Sequence, residues 1–95
     1  MLGVHPELVI DRYELFGSVG QGGMASVHLA RQIGGMGFSR IVAVKRLHPQ
    51  FTSSRDFVTL FLDEARLAAR VRHPNVVSTL DVVECPPETL MVMEL

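Results

Sequence analysis

The sequence predicts an α+β fold in which an antiparallel five-stranded sheet carries one helix. Three observations lead to this fold class. Glycine and proline divide the 95-residue chain into short pieces, and all but one have the length of a strand. The remaining piece, residues 54–72, repeats its apolar residues at steps of three and four, which indicates an amphipathic helix. The resulting order is three strands, one helix and two strands, whereas the strand order within the sheet does not follow from periodicity.

The first two predicted strands flank a cluster of glycines. Residues 12–19 form a strand that runs into the cluster at 20–23, and residues 26–32 alternate polar and apolar side chains as a half-buried strand does. We assign residues 1–11 to an N-terminal extension and residues 12–95 to one domain.

The third predicted strand, residues 41–47, is rich in β-branched residues. A period of two places Lys45 on the same face as Ala43 and Leu47. A partly buried lysine needs anionic partners, because burial without them disfavours its charged form. The alternative is a lysine of an edge strand whose ammonium group reaches solvent.

The helix has recognisable ends and one unexpected charge. Ser53 can cap its free N–H groups, Asp56 lies in the first turn, and the His-Pro-Asn segment 73–75 ends it. At 100° per residue, one stripe comprises Phe57, Phe61, Glu64, Ala68 and Val71. Glu64 is therefore predicted inside the apolar face, where it needs a cation, and Lys45 can supply one. A plain buried ion pair is the alternative, although such pairs repay their desolvation poorly.

Two further strands follow the helix, at residues 76–84 and 89–94, and Pro86 and Pro87 form the tight connection between them.

Composition excludes several classes of function. Nine Lys and Arg residues against ten Asp and Glu, without a basic block, provide no electrostatic surface for nucleic acid. The sequence shows neither a signal peptide nor an apolar run of roughly 18–20 residues, so we expect a cytoplasmic chain without membrane contact. A membrane anchor further along the polypeptide stays open. Cys85 is the single cysteine and the four histidines lack close pairings, so we expect no metal site within the chain.

The glycine cluster at 20–23 allows three phosphate-binding interpretations, because glycine lets backbone N–H groups approach phosphate oxygens closely. A dinucleotide-binding unit requires a helix after the glycines, but a strand is predicted there. A Walker A loop requires a following Lys-Ser/Thr pair, which is missing. The form that remains is a β-hairpin covering a triphosphate, and a glycine turn without any ligand is the plain alternative.

Two stretches resemble the motifs of a known family. Residues 20–27 (GQGGMASV) resemble the glycine-rich loop G-x-G-x-x-G-x-V, and residues 42–45 (VAVK) resemble V-A-I-K. Glu64 stands at the place of the αC-helix glutamate, residues 73–77 resemble the segment after that helix, and residues 92–94 resemble the strand entering the hinge. Over residues 12–95 the chain is therefore similar to the N-terminal lobe of a bacterial, eukaryotic-like serine/threonine protein kinase.

This resemblance implies ATP binding. Lys45 would contact the α- and β-phosphates while paired with Glu64, and these two are the candidate catalytic residues. The implied cofactor-binding set is Val19, Gly20, Gln21, Gly22, Gly23, Met24, Ala25, Val27, Ala43, Lys45, Met93, Glu94 and Leu95.

Within this set the implied roles differ. The segment 20–25 would lie over the phosphates, although Ala25 replaces the third glycine of the motif. The adenine would pack on Val19, Val27 and Ala43. Met93 would be the gatekeeper, the backbone of Glu94 would accept the adenine amino group, and Leu95 would begin the hinge.

The resemblance also implies what these residues lack. No His-Arg-Asp loop, metal-binding Asn or Asp-Phe-Gly occurs among them, so Mg²⁺ and the catalytic base are expected from a C-terminal lobe. We therefore expect a fragment truncated at the hinge, inactive alone, from an enzyme that phosphorylates Ser or Thr of a protein substrate. One alternative is a pseudokinase or regulatory module that binds a nucleotide or partner without catalysis. Another is an unrelated α+β domain, which predicts no contact between Lys45 and Glu64.

Overall fold

The computed structural model describes residues 5–70 and 78–95. Within them the chain forms one antiparallel sheet of six strands and one α-helix, in agreement with the predicted α+β class. The elements in chain order are β1 (Leu8–Ile10), β2 (Tyr13–Gln21), β3 (Ala25–Ile33), β4 (Ser39–Leu47), α1 (Arg55–Arg70), β5 (Thr79–Cys85) and β6 (Glu88–Met93). The strands are arranged as β1-β2-β3-β4-β6-β5.

The prediction of five strands is wrong by one. The additional strand, β1, lies in the segment that the sequence assigns to an N-terminal extension, and it pairs with the start of β2, Ile10 opposite Tyr13. Asp11 adopts a positive φ of 53° at the turn between the two strands. Three residues are too few to show alternation, although Ile10 is buried.

Helix α1 begins one residue later than the predicted Ser53 cap implies. Its first residue is Arg55, and the carbonyl of Ser54 accepts the N–H of Val58 at 3.1 Å, so Ser54 occupies the capping position. The predicted helix end at residues 71–75, with Val71, lies outside the described residues. No helix among the described residues has the length and apolar character needed to cross a bilayer.

Strand β4 connects the two halves of the sheet. It pairs with β3 over nine consecutive residues and with β6 over four. Its side chains alternate as predicted: Val42 and Val44 are fully buried on one face, while Lys45 and Leu47 point to the other.

These two faces contact different hydrophobic clusters. One cluster is enclosed by the curled sheet itself and consists of Ile10, Tyr13, Leu15, Ala30, Val42, Val44, Val83, Leu90 and Val92. The other lies between the sheet and α1 and consists of Ala25, Leu47, Val58, Phe61, Leu62, Ala65 and Met91. Helix α1 thus covers part of the sheet face that carries Leu47 and Lys45. Lys45 lies near the edge of the part that the helix covers.

Candidate functional site

A tight turn joins β2 to β3, and we call residues 20–25 the glycine hairpin. Gly20 lies opposite Val27 and Gln21 opposite Ser26, and the Gly22 N–H donates to the Ala25 carbonyl at 2.8 Å. A strand follows the glycines, which excludes the helix that a dinucleotide-binding unit needs.

Neither backbone conformation nor internal packing explains the glycines of this hairpin. Gly20, Gly22 and Gly23 have no positive φ. A Cβ atom added at Gly20 or Gly23 would meet no atom within 4 Å, and one at Gly22 would lie 3.7 Å from the Ala25 carbonyl oxygen. The chain itself therefore tolerates side chains here, and the bare backbone leaves room for close approach by another molecule.

Beneath the hairpin, one face of the sheet carries several predicted site residues in rows. Val27, Lys45 and Met91 lie side by side on β3, β4 and β6. In the next row along, Ala43 lies between Leu29 and Met93. Because side chains alternate, all these residues face the same side as the cluster under α1.

The structure brings Lys45 and Glu64 together. The Lys45 Nζ lies 3.2 Å from the Glu64 Oε1, so the ammonium group of β4 donates to the carboxylate of α1. The side chains are 31% and 63% exposed, respectively. An ion pair this accessible contributes roughly 0–1 kcal/mol to folding, so stability is a poor reason for its presence.

The prediction that Glu64 lies inside the apolar face of the helix is wrong. The helix buries Val58, Phe61, Leu62 and Ala65, and Glu64 lies on the flank of this stripe. Periodicity gives the angles between residues along a helix but not how the helix is rotated against its sheet. Glu64 reaches Lys45 from that flank, where its Oε1 lies 3.2 Å from the Lys45 Nζ.

A pocket of about 720 Å³ lies between the glycine hairpin, Lys45 and α1. It is lined by Gly20, Gln21, Gly22, Gly23, Met24, Ala25, Val27, Lys45, Leu60, Phe61 and Glu64. Nine of these residues belong to the predicted site. The sequence missed Leu60 and Phe61 as lining residues, although both were recognisable as apolar positions next to Glu64 on the same helix.

The other predicted site residues lie outside this pocket lining. Val19 is exposed on β2, Ala43 and Met93 form the row described above, and Leu95 is exposed. The N–H of Glu94 donates to the Ser78 carbonyl at 2.8 Å, whereas the predicted role of Glu94 concerns its carbonyl oxygen.

Carboxylates and histidines do not gather into a metal site in the part of the chain that the structure describes. No three His, Cys, Asp or Glu side chains of residues 5–70 and 78–95 come together as ligands. Glu64 contacts Lys45, so the carboxylate nearest the pocket already has a cation.

The known proteins whose sequences resemble this chain include several protein kinases. The profile of the protein kinase domain matches residues 13–95. The tyrosine-protein kinase MasK of Myxococcus xanthus is 49% identical over 65 residues, which cover 68% of this chain and 10% of the relative. The serine/threonine-protein kinase PknB of Mycobacterium leprae is 40% identical over 93 residues, covering 94% of this chain and 14% of the relative.

Two further matches agree with these. The serine/threonine-protein kinase PrkC of Bacillus subtilis is 37% identical over 86 residues, covering 90% of this chain and 13% of the relative. The solved structure named "PpkA-294 apo form" aligns with a TM-score of 0.75 at 21% identity, covering 98% of this chain and 38% of that one. The structural likeness shows a shared fold. The chain spans 10–14% of the length of these curated relatives.

Proposed function

Because the chain belongs to the protein kinase domain family, we propose that it is the ATP-binding lobe of an enzyme that transfers the γ-phosphoryl group of ATP to Ser or Thr of protein substrates. The observation that carries this proposal is the contact between Lys45 and Glu64 beneath the glycine hairpin. The Lys45 ammonium group, the Glu64 carboxylate that binds it and the backbone of the glycine hairpin all line one pocket.

The proposed roles follow from the geometry of the pocket. The N–H groups of the glycine hairpin approach the phosphates, where no Cβ atom stands in the way. Lys45 contacts the α- and β-phosphate oxygens with its ammonium group, and Glu64 limits the positions that this flexible side chain adopts. This positioning role accounts for an exposed ion pair that adds little to folding.

The adenine and hinge roles rest on the rows of the sheet. Ala43 and Val27 are half-buried on the face that carries Lys45, so they can pack against a flat ring at the open end of the sheet. Met93 lies opposite Ala43 and limits the depth of that space. The carbonyl of Glu94 then accepts the adenine amino group, and Val19 and Leu95 complete the contact.

Phosphoryl transfer needs more than nucleotide binding. The γ-phosphoryl group passes to a substrate hydroxyl that must be oriented in line, and the developing charge must be neutralised. Among these 95 residues the motifs that orient the hydroxyl and hold Mg²⁺ do not occur. We therefore expect the 95-residue chain alone to bind ATP without transferring phosphate. We also propose a cytoplasmic location, where ATP is available as the phosphoryl donor.

The proposed preference for serine and threonine rests on the names of the relatives. PknB and PrkC are named serine/threonine-protein kinases, whereas MasK is named a tyrosine-protein kinase. The pocket described here receives ATP and does not contact the substrate hydroxyl, so its residues do not discriminate between the two.

The test is the Lys45→Met variant of the native protein that carries these residues. Losing a charge-assisted hydrogen bond to phosphate should weaken ATP binding by roughly tenfold or more and abolish phosphoryl transfer. Arg40→Met is the matched control, because Arg40 is an exposed cation of the same strand and lies outside the pocket. ATP affinity is measured by calorimetry, and the phosphorylated residue is identified by acid hydrolysis of the product.

Three results would contradict the proposal. The first is unchanged ATP affinity in Lys45→Met, and the second is an equal loss in Arg40→Met. The third is a native product containing phosphotyrosine alone, which would overturn the proposed substrate residue and leave nucleotide binding in place.

A further inference from the structure

Strand β2 carries two extra residues just before the glycine hairpin. Between the pairs Leu15–Ala30 and Ser18–His28, β2 has two residues where β3 has one. Between Ser18–His28 and the next pair, Gly20–Val27, β2 has one residue where β3 has none. Each such bulge bends its strand and increases the local twist. Because β3 pairs with β4 over nine consecutive residues without a shift, the bend of the hairpin originates in β2.

A histidine side chain bridges the first bulge. The Nδ1 of His28 lies 2.7 Å from the carbonyl oxygen of Phe16, which belongs to the first bulge. A carbonyl oxygen only accepts, so Nδ1 carries the proton and donates. The Nε2 of His28 lies 2.9 Å from the Ser26 Oγ and, in the neutral ring, accepts the hydroxyl proton.

This bridge is buried and lies on the far side of the sheet from the pocket. Ser26 and His28 are each 6% exposed. His28 lies opposite Val44, whose side chain packs in the cluster enclosed by the sheet, whereas the neighbouring Val27 and Lys45 line the pocket. A serine beside a histidine resembles a nucleophile and its base, but burial keeps this pair from any substrate.

We propose that His28 is a positioning residue of the glycine hairpin: by holding the Phe16 carbonyl it fixes the first bulge of β2, and thereby sets where residues 20–23 lie above Lys45. The positioning of the hairpin by His28 does not depend on the proposed function. Its expected consequence, tight ATP binding, does rest on the proposed function. A buried imidazole bonded at both nitrogens is rigid, whereas a bulge without a partner for its carbonyl has several alternative backbone conformations.

The test compares two isosteric replacements. Asn and Leu have side chains of the same shape as each other. In His28→Asn an amide N–H can take the place of Nδ1–H, whereas the Leu side chain of His28→Leu has no donor. We expect His28→Leu to increase hydrogen exchange at Gly22 and its neighbours in the nucleotide-free protein, and to weaken ATP binding roughly five- to tenfold. His28→Asn should restore most of both. Ser26→Ala, which removes only the Nε2 contact, should stay within about twofold of the native affinity.

Tyr13→Phe is the matched control, because it removes another partly buried side-chain hydrogen bond on the same face of the sheet without touching the bulge. It should lower stability without affecting exchange in the hairpin. The inference is overturned if His28→Leu matches Tyr13→Phe in both readouts, or if Ser26→Ala weakens ATP binding as much as His28→Leu. If His28→Leu does not fold, a large loss of affinity in His28→Asn overturns it, and a native-like affinity in that variant supports it.

Failure of the proposed function gives a different result. If the native protein does not bind ATP, the proposed function fails, while hydrogen exchange in the hairpin still reports whether His28 holds it in place.

Discussion

The side chain of Tyr13 links strand β2 to the edge strand β5 across the curled sheet. It is fully buried at the start of β2, and its hydroxyl donates to the Asp81 Oδ2 of the edge strand β5 at 2.8 Å. Burial, followed by the hydrogen bond to Asp81 and the charge of that carboxylate, raises the pKa of Tyr13 to about 12. The native state thus favours the protonated phenol more strongly than the unfolded chain does.

This shift predicts a loss of stability at high pH. The contribution of Tyr13 is fully present below its unfolded pKa of about 10 and disappears as the pH rises through about 12, because only the unfolded state releases the proton in that window. The expected loss is about 2–3 kcal/mol in the free energy of unfolding. Urea denaturation between pH 9 and 12 measures it, and Tyr13→Phe should remove this component of the pH dependence.

Tyr13 is the only tyrosine and the chain has no tryptophan, so phenolate absorbance reports this group alone. A titration midpoint near 10 in the folded chain would contradict the described environment of Tyr13.

The sequence predicted one partner of the Lys45–Glu64 pair better than the other. Lys45 follows from a strand period of two, which leaves only two orientations, and the structure places it on the expected face. The orientation of Glu64 depends on the rotation of the helix about its axis, which is continuous. The two residues meet, but Glu64 does so from an exposed flank.

Among the elements, α1 shows how this rotation is set. The buried residues Val58, Phe61, Leu62 and Ala65 form a narrow stripe against the sheet, whereas Leu60 and Leu67 are exposed. The predicted stripe through Phe57 and Glu64 lies beside the buried one. A sequence in which apolar residues surround much of the helix does not indicate which side faces the sheet.

Two leucines of this helix test the assignment. Leu62→Ala should destabilise the chain by about 2–4 kcal/mol, because it leaves a cavity under the helix, where Leu62 is 6% exposed. Leu67→Ala changes the same atoms at a position that is 65% exposed and should cost about 0.5 kcal/mol or less. Urea denaturation of both variants measures the difference. Equal losses would show that α1 is rotated differently on the sheet.

The strands could be predicted to different degrees. Strands β2, β3 and β4 follow from alternation and from the glycines between them, with ends within two residues of those observed. β1 was missed because three residues carry no usable period. The bulges of β2 were also missed, because a register shift against β3 is not visible in the local pattern of one strand.

For the whole molecule, the fold class followed from the order of elements, but the arrangement of the sheet did not. β6 lies between β4 and β5, so the last strand of the chain is central. The bond from Tyr13 to Asp81 joins β2 to the edge strand β5, which shows how strongly the sheet curls. Such long-range pairing depends on which faces pack together, and a single sequence carries little information about it.

The hydrophobic clusters are separate from the proposed site. One cluster is enclosed by the sheet and the other lies under α1, whereas the glycine hairpin, Lys45 and Glu64 line the pocket. We propose that Glu64 acts on the nucleotide through Lys45 and contributes little to folding.

A double-mutant cycle on ATP affinity measures whether Glu64 acts through Lys45, using Lys45→Met, Glu64→Gln and the combined variant of the native protein. We predict that Glu64→Gln weakens ATP binding roughly fivefold when Lys45 is present and has no further effect when it is replaced, because the two residues act as one unit. An equal loss of affinity from Glu64→Gln in both backgrounds would show that Glu64 does not act through Lys45.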